Sequence, residues 1–134
     1  FPSSVTRRLF ADFYAIYQGP KGWKATADAY LGHQAGQGYW GQANAQVQAP
    51  LAKNWSLSGR LEYFHDPNQV VTPYLQGYPG FRTASGGLTL NYQPHARALL
   101  RLETRQFLAF NDSFPTPGLG KYAQWAVAGW TVWL

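Results

Sequence analysis

The chain has 134 residues, a net charge of +5 and no cysteine, and charged residues make up 13% of it. The missing cysteines exclude a disulfide framework and a cysteine metal site, and about 25% charged residues would be usual for a soluble domain. No run of about eighteen apolar residues occurs, which excludes a transmembrane helix. The basic residues are scattered along the chain, so we expect no nucleic-acid partner.

Apolar and polar residues alternate along most of the chain. This period of two predicts β-strands that have one apolar and one polar face. Glycine, proline and asparagine separate about seven such segments. The first segment covers about residues 6–17 and places Leu9 and Phe13 on one face, with Arg8 and Asp12 on the other.

The third segment carries a row of amides on one face. A predicted turn over residues 18–22 leads to the second segment, residues 23–31, and a glycine-rich link over 32–38 leads to the third, residues 41–49. The amides of the third segment are Gln42, Asn44, Gln46 and Gln48. An unpaired polar group in hydrocarbon costs several kcal/mol, so this face requires water rather than lipid.

The fourth segment follows a turn over residues 50–54 and alternates most clearly. From Trp55 to Glu62, apolar or small residues occupy the odd positions and polar or charged residues occupy the even ones. A long irregular stretch, residues 65–80, comes next. Strands of about ten residues with aromatic residues at both ends are typical of outer-membrane β-barrels.

The last three segments continue the pattern up to the final one. The fifth, residues 81–92, and the sixth, around residues 100–105, are joined by a predicted tight turn over 93–97. A loop rich in proline and glycine, residues 111–121, separates them from the last segment, residues 122–134. Both faces of this last segment are apolar, so alternation alone does not assign them.

Together the segments predict a single all-β domain over residues 1–134, an antiparallel up-and-down transmembrane β-barrel of about seven strands. Barrels of the outer membrane normally have an even number of strands, and unpaired strand edges are not tolerated in hydrocarbon. We therefore expect the chain to be the C-terminal part of a larger barrel. A complete barrel of about eight strands, with one strand missed, is the alternative.

The connections alternate between short turns and longer loops, and this alternation predicts an orientation. Periplasmic turns of such barrels are short and extracellular loops are longer. We therefore expect the C-terminus in the periplasm and loops 65–80 and 111–121 outside the cell, either folded inward to narrow the pore or in contact with a partner. The predicted membrane-interface residues are Tyr17, Trp23, Trp55, Tyr63, Tyr92, Trp125 and Trp133. Further aromatic residues expected in the outer band are Tyr39, Trp40, Phe64, Phe107 and Tyr122.

The polar faces of the strands are predicted to line a water-filled lumen. The predicted lumen-lining residues are Arg8, Asp12, Lys24, Asp28, Gln42, Asn44, Gln46, Arg60, Glu62, Thr89, Asn91, Arg101, Glu103 and Arg105. Their charges nearly cancel, so we expect no strong preference for anions or cations. Charged side chains on a lumen wall either select solutes or brace the wall by pairing with one another. The need to pair sheltered charges favours bracing.

No catalytic or metal-binding constellation is predicted. His33, His65 and His95 fall in loops or turns at different ends of the strands, and His65 beside Asp66 is a weak cation pair that lacks further ligands. An outer-membrane hydrolase needs a serine and a histidine within hydrogen-bond reach. Ser85 has no histidine at its depth, and nothing brings Ser113 to His65. We expect no enzyme activity and no cofactor or metal.

A soluble ligand-binding barrel is the remaining alternative for the fold. Such a barrel would place its apolar face inside and its polar face outside. The aromatic strand ends, the small residues on the apolar face and the low total charge favour the membrane barrel.

Two runs of sequence resemble the OmpL-like family of outer-membrane β-barrel porins. The first, from Trp55, reads Trp-Ser-Leu-Ser-Gly-Arg-Leu-Glu-Tyr-Phe-His-Asp-Pro, and the second, from Leu88, reads Leu-Thr-Leu-Asn-Tyr-Gln-Pro-His-Ala-Arg-Ala-Leu-Leu-Arg-Leu-Glu-Thr-Arg. The resemblance covers about residues 39–134, the C-terminal part of the family's barrel. The last residue departs from it, because Leu134 stands where the family usually has phenylalanine.

The resemblance implies passive channel activity in a bacterial outer membrane, without naming a solute. It also implies contacts with outer-membrane lipid, lipopolysaccharide and the barrel-assembly machinery, and with the missing barrel strands or other envelope proteins. A non-conducting barrel that anchors or scaffolds an envelope complex is the alternative function. A lipid-modifying enzyme of the outer membrane is a third and less favoured alternative function.

Overall fold

A computed structural model describes residues 7–72, 80–110 and 120–133 of the chain. Its elements are seven β-strands and one short 3₁₀ turn: β1 (Arg8–Gln18), the 3₁₀ turn (Pro20–Gly22), β2 (Lys24–Gln34), β3 (Gly38–Ala52), β4 (Trp55–Asp66), β5 (Phe81–His95), β6 (Ala98–Ala109) and β7 (Tyr122–Val132). Among these residues, no helix is long and apolar enough to cross a membrane.

The strands form one antiparallel sheet in which each strand pairs with its neighbours in the sequence. The order is β1-β2-β3-β4-β5-β6-β7, and β1 and β7 are the two outer strands. This up-and-down meander confirms the predicted all-β class and the predicted strand succession.

Several strands run further than predicted, because prolines and glycines lie inside strands or in very tight turns. β2 and β3 leave only residues 35–37 between them, instead of the link over 32–38. The turns predicted over 50–54 and 93–97 shrink to residues 53–54 and 96–97. Register shifts near both turns, between Pro50 and Ala52 and between Tyr92 and His95, mark irregular pairing. Proline is tolerated at such bulges, because a bulge leaves a residue out of the ladder.

The register gives the sheet two chemically distinct faces, because directly paired residues of neighbouring strands share a face. We call them the polar face, which carries Gln46, Arg60 and Arg105, and the apolar face, which carries Val47 and Leu61. The apolar face is the open one: Leu61 is 70% exposed. The polar face is sheltered, since Ser58 and Asn91 are only 5% and 8% exposed.

This distribution is the reverse of that of a soluble domain, which buries its apolar face. Leu9, Phe13 and Trp130 are 68%, 67% and 82% exposed. Within the described residues, the buried hydrophobic side chains are Trp40 and Ala109 alone. So large a continuous apolar surface marks contact with a membrane or a partner, which disfavours the soluble ligand-binding barrel.

The two ends of the sheet differ in their connections. One end of the sheet, which we call the short-turn end, contains the short connections over residues 19–23, 53–54 and 96–97. Strand β7 also ends there. The opposite end, the long-loop end, holds residues 35–37 and the connections from β4 to β5 and from β6 to β7. Most of these two long connections, residues 73–79 and 111–119, lies outside the described residues, as does Leu134.

Aromatic side chains lie on the apolar face near both ends. At the short-turn end Trp55 stacks on Tyr92 with ring centroids 4.3 Å apart. At the long-loop end Tyr63 meets the ring of Phe110 edge-on, at 6.1 Å. From Tyr63 to Trp55 the strand covers roughly 27 Å at about 3.4 Å per residue. At the usual tilt of about 40° this is about 20 Å across a membrane, close to the apolar band of about 25 Å of such barrels.

Candidate functional site

The polar face is the candidate functional surface, because the register brings all predicted lumen-lining residues onto it. Three cross-strand rows illustrate this. The first row is Lys24, Gln48, Ser58, Thr89 and Glu103; the second is Thr26, Gln46, Arg60, Gly87 and Arg105; the third is Asp28, Asn44, Glu62, Ser85 and Phe107. Asp12, Tyr30 and Gln42 form part of a fourth row. The face is therefore a mixed wall of amides, hydroxyls and charges of both signs.

Glu62 joins two arginines on this face. Its Oε2 lies 3.0 Å from Nη2 of Arg60 and 3.3 Å from Nη2 of Arg105. Arg60 and Glu62 are two positions apart on β4, so their side chains leave the same face. Arg105 belongs to β6 and reaches Glu62 across β5. One carboxylate thus links β4 to β6 across the intervening strand β5.

Gly87 on β5 makes the longer of these contacts possible. It pairs with Arg60 on one side and with Arg105 on the other. A Cβ at Gly87 would lie 3.0 Å from the Thr104 carbonyl oxygen and 3.6 Å from Cγ of Arg105. The missing side chain leaves the stem of Arg105 free to lie across the strand.

Two aromatic rings hold the Arg105 guanidinium from the other side. Its Cζ lies 5.5 Å from the ring centroid of Phe107 and 5.7 Å from that of Trp125. The side chain of Arg105 is 15% exposed and that of Glu62 is 20% exposed. Sheltered, doubly partnered charges of this kind fit the bracing role, because a lone charge in this position would be costly.

A chain of hydrogen bonds crosses four strands nearer the short-turn end. The Gln48 amide donates to Ser56 Oγ at 3.1 Å, and the Asn91 amide donates to the same oxygen at 3.4 Å. Arg101 Nε donates to Asn91 Oδ1 at 3.0 Å. These neutral groups hold Arg101 against the wall without neutralising its charge.

A cavity of about 660 Å³ lies over β3 to β6 on the polar face. Its lining includes Gln46, Ser58, Thr89, Arg101 and Glu103. Such a lining of hydroxyl, amide and charged groups suits water and polar solutes, because each group can exchange hydrogen bonds with them.

The long-loop half of the polar face also carries aromatic rings. Phe10 contacts Tyr30 with ring centroids 5.2 Å apart, and Phe64 contacts Phe81 at 5.8 Å. Trp40 covers Gly32, where any Cβ would overlap the indole ring, and Cζ of Arg8 lies 5.2 Å from its ring centroid.

The expected outer aromatic band therefore needs correction. Trp125 pairs with Arg105 and shares the polar face, so it is wrongly predicted as a membrane-interface residue. The register moves Trp40, Phe64 and Phe107 to the polar face in the same way. Position relative to Gln42, Glu62 and Arg105 would have identified these three. On the last strand the polar residues Gln124 and Thr131 lie on opposite faces, so they do not identify the polar one.

The histidines also lie elsewhere than predicted. His33, His65 and His95 belong to β2, β4 and β5 rather than to loops. His65 and Asp66 are neighbours on one strand, so their side chains leave opposite faces, which removes the weak cation pair. Within residues 7–72, 80–110 and 120–133, no group of three or more His, Cys, Asp or Glu side chains could hold a metal ion. Ser113, the other nucleophile considered, lies outside those ranges.

Asp66 is the residue whose role the sequence did not suggest. Its side chain is fully buried at the end of β4, and the backbone N–H groups of Val70, Val71 and Thr72 all donate to its carboxylate. Those donors belong to the main chain, so no pattern of side chains signals them.

The comparisons with known proteins point to one family. A family model described as putative beta-barrel porin-2, OmpL-like, matches residues 3–129. The match includes the first two strands, which extends the resemblance beyond residues 39–134. No curated protein and no solved structure matches the chain.

Proposed function

The chain belongs to the OmpL-like family of β-barrel porins, which places it among outer-membrane β-barrels, and from this premise we propose that it forms a passive diffusion channel for small solutes or ions. The observation that carries the proposal is the sheltered polar face beneath an exposed apolar one. In a closed barrel, the sheltered face encloses the lumen and the exposed face meets lipid. Diffusion through such a lumen uses no cofactor and no catalytic residue.

The charges of the polar face favour weak ion selectivity. Its basic residues are Arg8, Lys24, Arg60, Arg101 and Arg105, and its acidic residues are Asp12, Asp28, Glu62, Asp66 and Glu103. The five positive and five negative charges cancel. A ring of charges of one sign is the usual basis of strong selectivity, and this wall does not contain one.

The proposed orientation places the short-turn end and the C-terminus in the periplasm and the long-loop end outside the cell. Short turns face the periplasm in bacterial barrels. Tyr17, Trp23, Trp55 and Tyr92 would then lie at the periplasmic interface. Tyr63 would lie at the outer one, next to lipopolysaccharide. The prediction of Trp133 as an interface residue is wrong, because Trp133 stands eight positions beyond Trp125 and shares its polar face. The barrel-assembly machinery would insert the chain, and further strands would pair with the edges of β1 and β7.

A non-conducting anchor is the second candidate, and the bridging network on the polar face is the observation that favours it. In a barrel of about eight strands, side chains fill the interior. The Arg60–Glu62–Arg105 bridge and the Gln48–Ser56–Asn91–Arg101 chain would then serve only to close a solid core. The number of strands in the closed barrel therefore decides between a channel and an anchor.

Solute flux into vesicles tests the proposal. The complete, folded polypeptide reconstituted in liposomes should let a small neutral sugar enter, measured as swelling, while liposomes that carry heat-unfolded protein should not swell. Folded protein that gives no swelling above the lipid background would contradict the channel and favour the anchor.

A further inference from the structure

The strongest unexplained feature is the buried carboxylate of Asp66, at the long-loop end of β4. Its Oδ1 accepts a hydrogen bond from the Val70 N–H at 2.8 Å. Its Oδ2 accepts three, from the N–H groups of Val71 and Thr72 at 2.9 Å and from the Thr72 hydroxyl at 2.8 Å. The Gln69 N–H also donates to the Asp66 carbonyl oxygen at 3.3 Å. Residues 66–72, which we call the inward turn, are therefore wound around one side chain.

The side of the sheet on which this turn lies follows from the strand geometry. Asp66 pairs with Phe81 and stands two positions beyond Phe64 and four beyond Glu62, so its carboxylate leaves the polar face. The backbone N–H groups of residues 70–72 reach that carboxylate. The segment that carries them must then lie over the polar face rather than continue the sheet upward.

A second contact, independent of the first, supports this position. Gly38 at the start of β3 pairs with Gln34 and has a φ of 121°. A Cβ built on Gly38 would overlap the side-chain amide of Asn68. Asn68 thus occupies the space that a side chain on the neighbouring hairpin would fill. The inward turn spans from the end of β4 to the β2–β3 hairpin.

We propose that the inward turn narrows the long-loop mouth of the channel, and that Asp66 is the positioning residue that holds it there. This inference rests on the proposed channel function. The turn offers no free charge to a passing solute, because the Asp66 carboxylate is fully buried and satisfied by its own turn. Its accessible edge includes Val71, which is 38% exposed. The turn would therefore select solutes by size rather than by charge.

Substitution of Asp66 tests the position of the turn without reference to transport. Asp66→Ala removes both carboxylate acceptors, and Asp66→Asn places an amide donor where N–H groups now point. In either variant the amides of residues 70–72 should exchange with solvent about 10- to 100-fold faster, which is the effect of losing hydrogen bonds to a charged group. The amides of β4 and β5 should keep their protection. If the amides of 70–72 exchange freely in the unmodified protein, the inference is wrong.

Single-channel recording tests the effect on the mouth. Asp66→Ala should raise the conductance and should admit larger neutral polymers than the unmodified channel does. Tyr39→Ala is the matched control, because it removes a side chain at the same end of the sheet, on the apolar face, without touching the turn. Unchanged conductance and unchanged polymer cut-off in Asp66→Ala would overturn the inference while leaving the channel intact. If neither protein conducts although both are folded, the channel proposal fails and the constriction fails with it.

A thiol placed on the turn gives a further readout. The chain has no cysteine, so Val71→Cys would carry its only thiol. A bulky, charged thiol reagent should reduce the current through Val71→Cys. The same reagent should leave the current of Tyr39→Cys unchanged, because Tyr39 lies at the same end on the apolar face and is 57% exposed. Equal effects at the two positions would place the turn outside the conduction path.

Discussion

The assignment of the two faces can be tested with one pair of adjacent substitutions. Leu88 lies on the apolar face and is 54% exposed. It pairs with Gly59, midway between Tyr63 and Trp55 on β4. Tyr92 lies about 14 Å further along β5, at about 3.4 Å per residue. Leu88 therefore stands near the middle of the apolar band, where a charge is furthest from water.

Leu88→Arg should destabilise the folded barrel by about 2–4 kcal/mol, the cost of an arginine at the midplane of a lipid-facing strand. This corresponds to a roughly 30- to 700-fold smaller folding equilibrium constant, at about 1.4 kcal/mol per factor of ten. Thr89→Arg is the control, because Thr89 lies at the same depth on the polar face. There a new arginine would meet Glu103, its cross-strand neighbour.

Reversible unfolding by urea in phospholipid vesicles measures both variants. The expected result is a large loss of unfolding free energy for Leu88→Arg and a change within about 1 kcal/mol for Thr89→Arg, since a charge that finds a partner near water costs little. Equal destabilisation of the two variants, or a larger loss for Thr89→Arg, would refute the face assignment. The proposal that the polar face lines the channel lumen would then be wrong as well.

Two further predictions concern the polar face. Glu62→Gln removes the carboxylate that Arg60 and Arg105 share, so the reversal potential in a salt gradient should move toward anion preference. A reversal potential equal to that of the unmodified channel would show that this bridge does not border the permeation path. Gly32→Ala forces a methyl group into the Trp40 ring and should cost about 1–3 kcal/mol of unfolding free energy, as overpacking does. Gly129→Ala is its control, since a Cβ there meets nothing within 4 Å, and equal costs for the two glycines would contradict the packing of Trp40.

The strand succession and the faces could be predicted because they depend on a local signal. Alternation with a period of two fixes which residues share a face, so the sequence alone predicts that Gln42, Arg60 and Arg105 share one, and the register agrees. The final strand is ambiguous for the same reason, because both of its faces are mostly apolar. Only pairing with Arg105 brings Trp125 to the polar face.

The strand ends and the contacts between distant strands depend on non-local features. Pro50 and Pro94 suggested turns, yet both lie inside strands beside register shifts. The bridge from Glu62 to Arg105 requires the register of three strands and the missing side chain of Gly87. The inward turn depends on main-chain donors to Asp66, which every residue type except proline supplies. A sequence pattern therefore could not single it out.

The aromatic rings were misassigned for a different reason. Position along the strand alone predicts that aromatic residues near strand ends lie in the interface band. Phe64 stands two positions from Glu62, so its side chain shares the polar face, and its ring contacts that of Phe81 there. The position of a residue along its strand gives its depth in the membrane, whereas its odd or even place gives the face from which its side chain leaves the sheet. Both are needed to predict an interface residue.

Conductance across a planar lipid bilayer tests the proposed channel most directly. The complete polypeptide, folded and inserted, should give discrete current steps that rise linearly with voltage, with a reversal potential close to zero in a salt gradient because the charges of the polar face nearly cancel. A bilayer that stays silent with inserted, folded protein would contradict the channel and leave the barrel as an anchor.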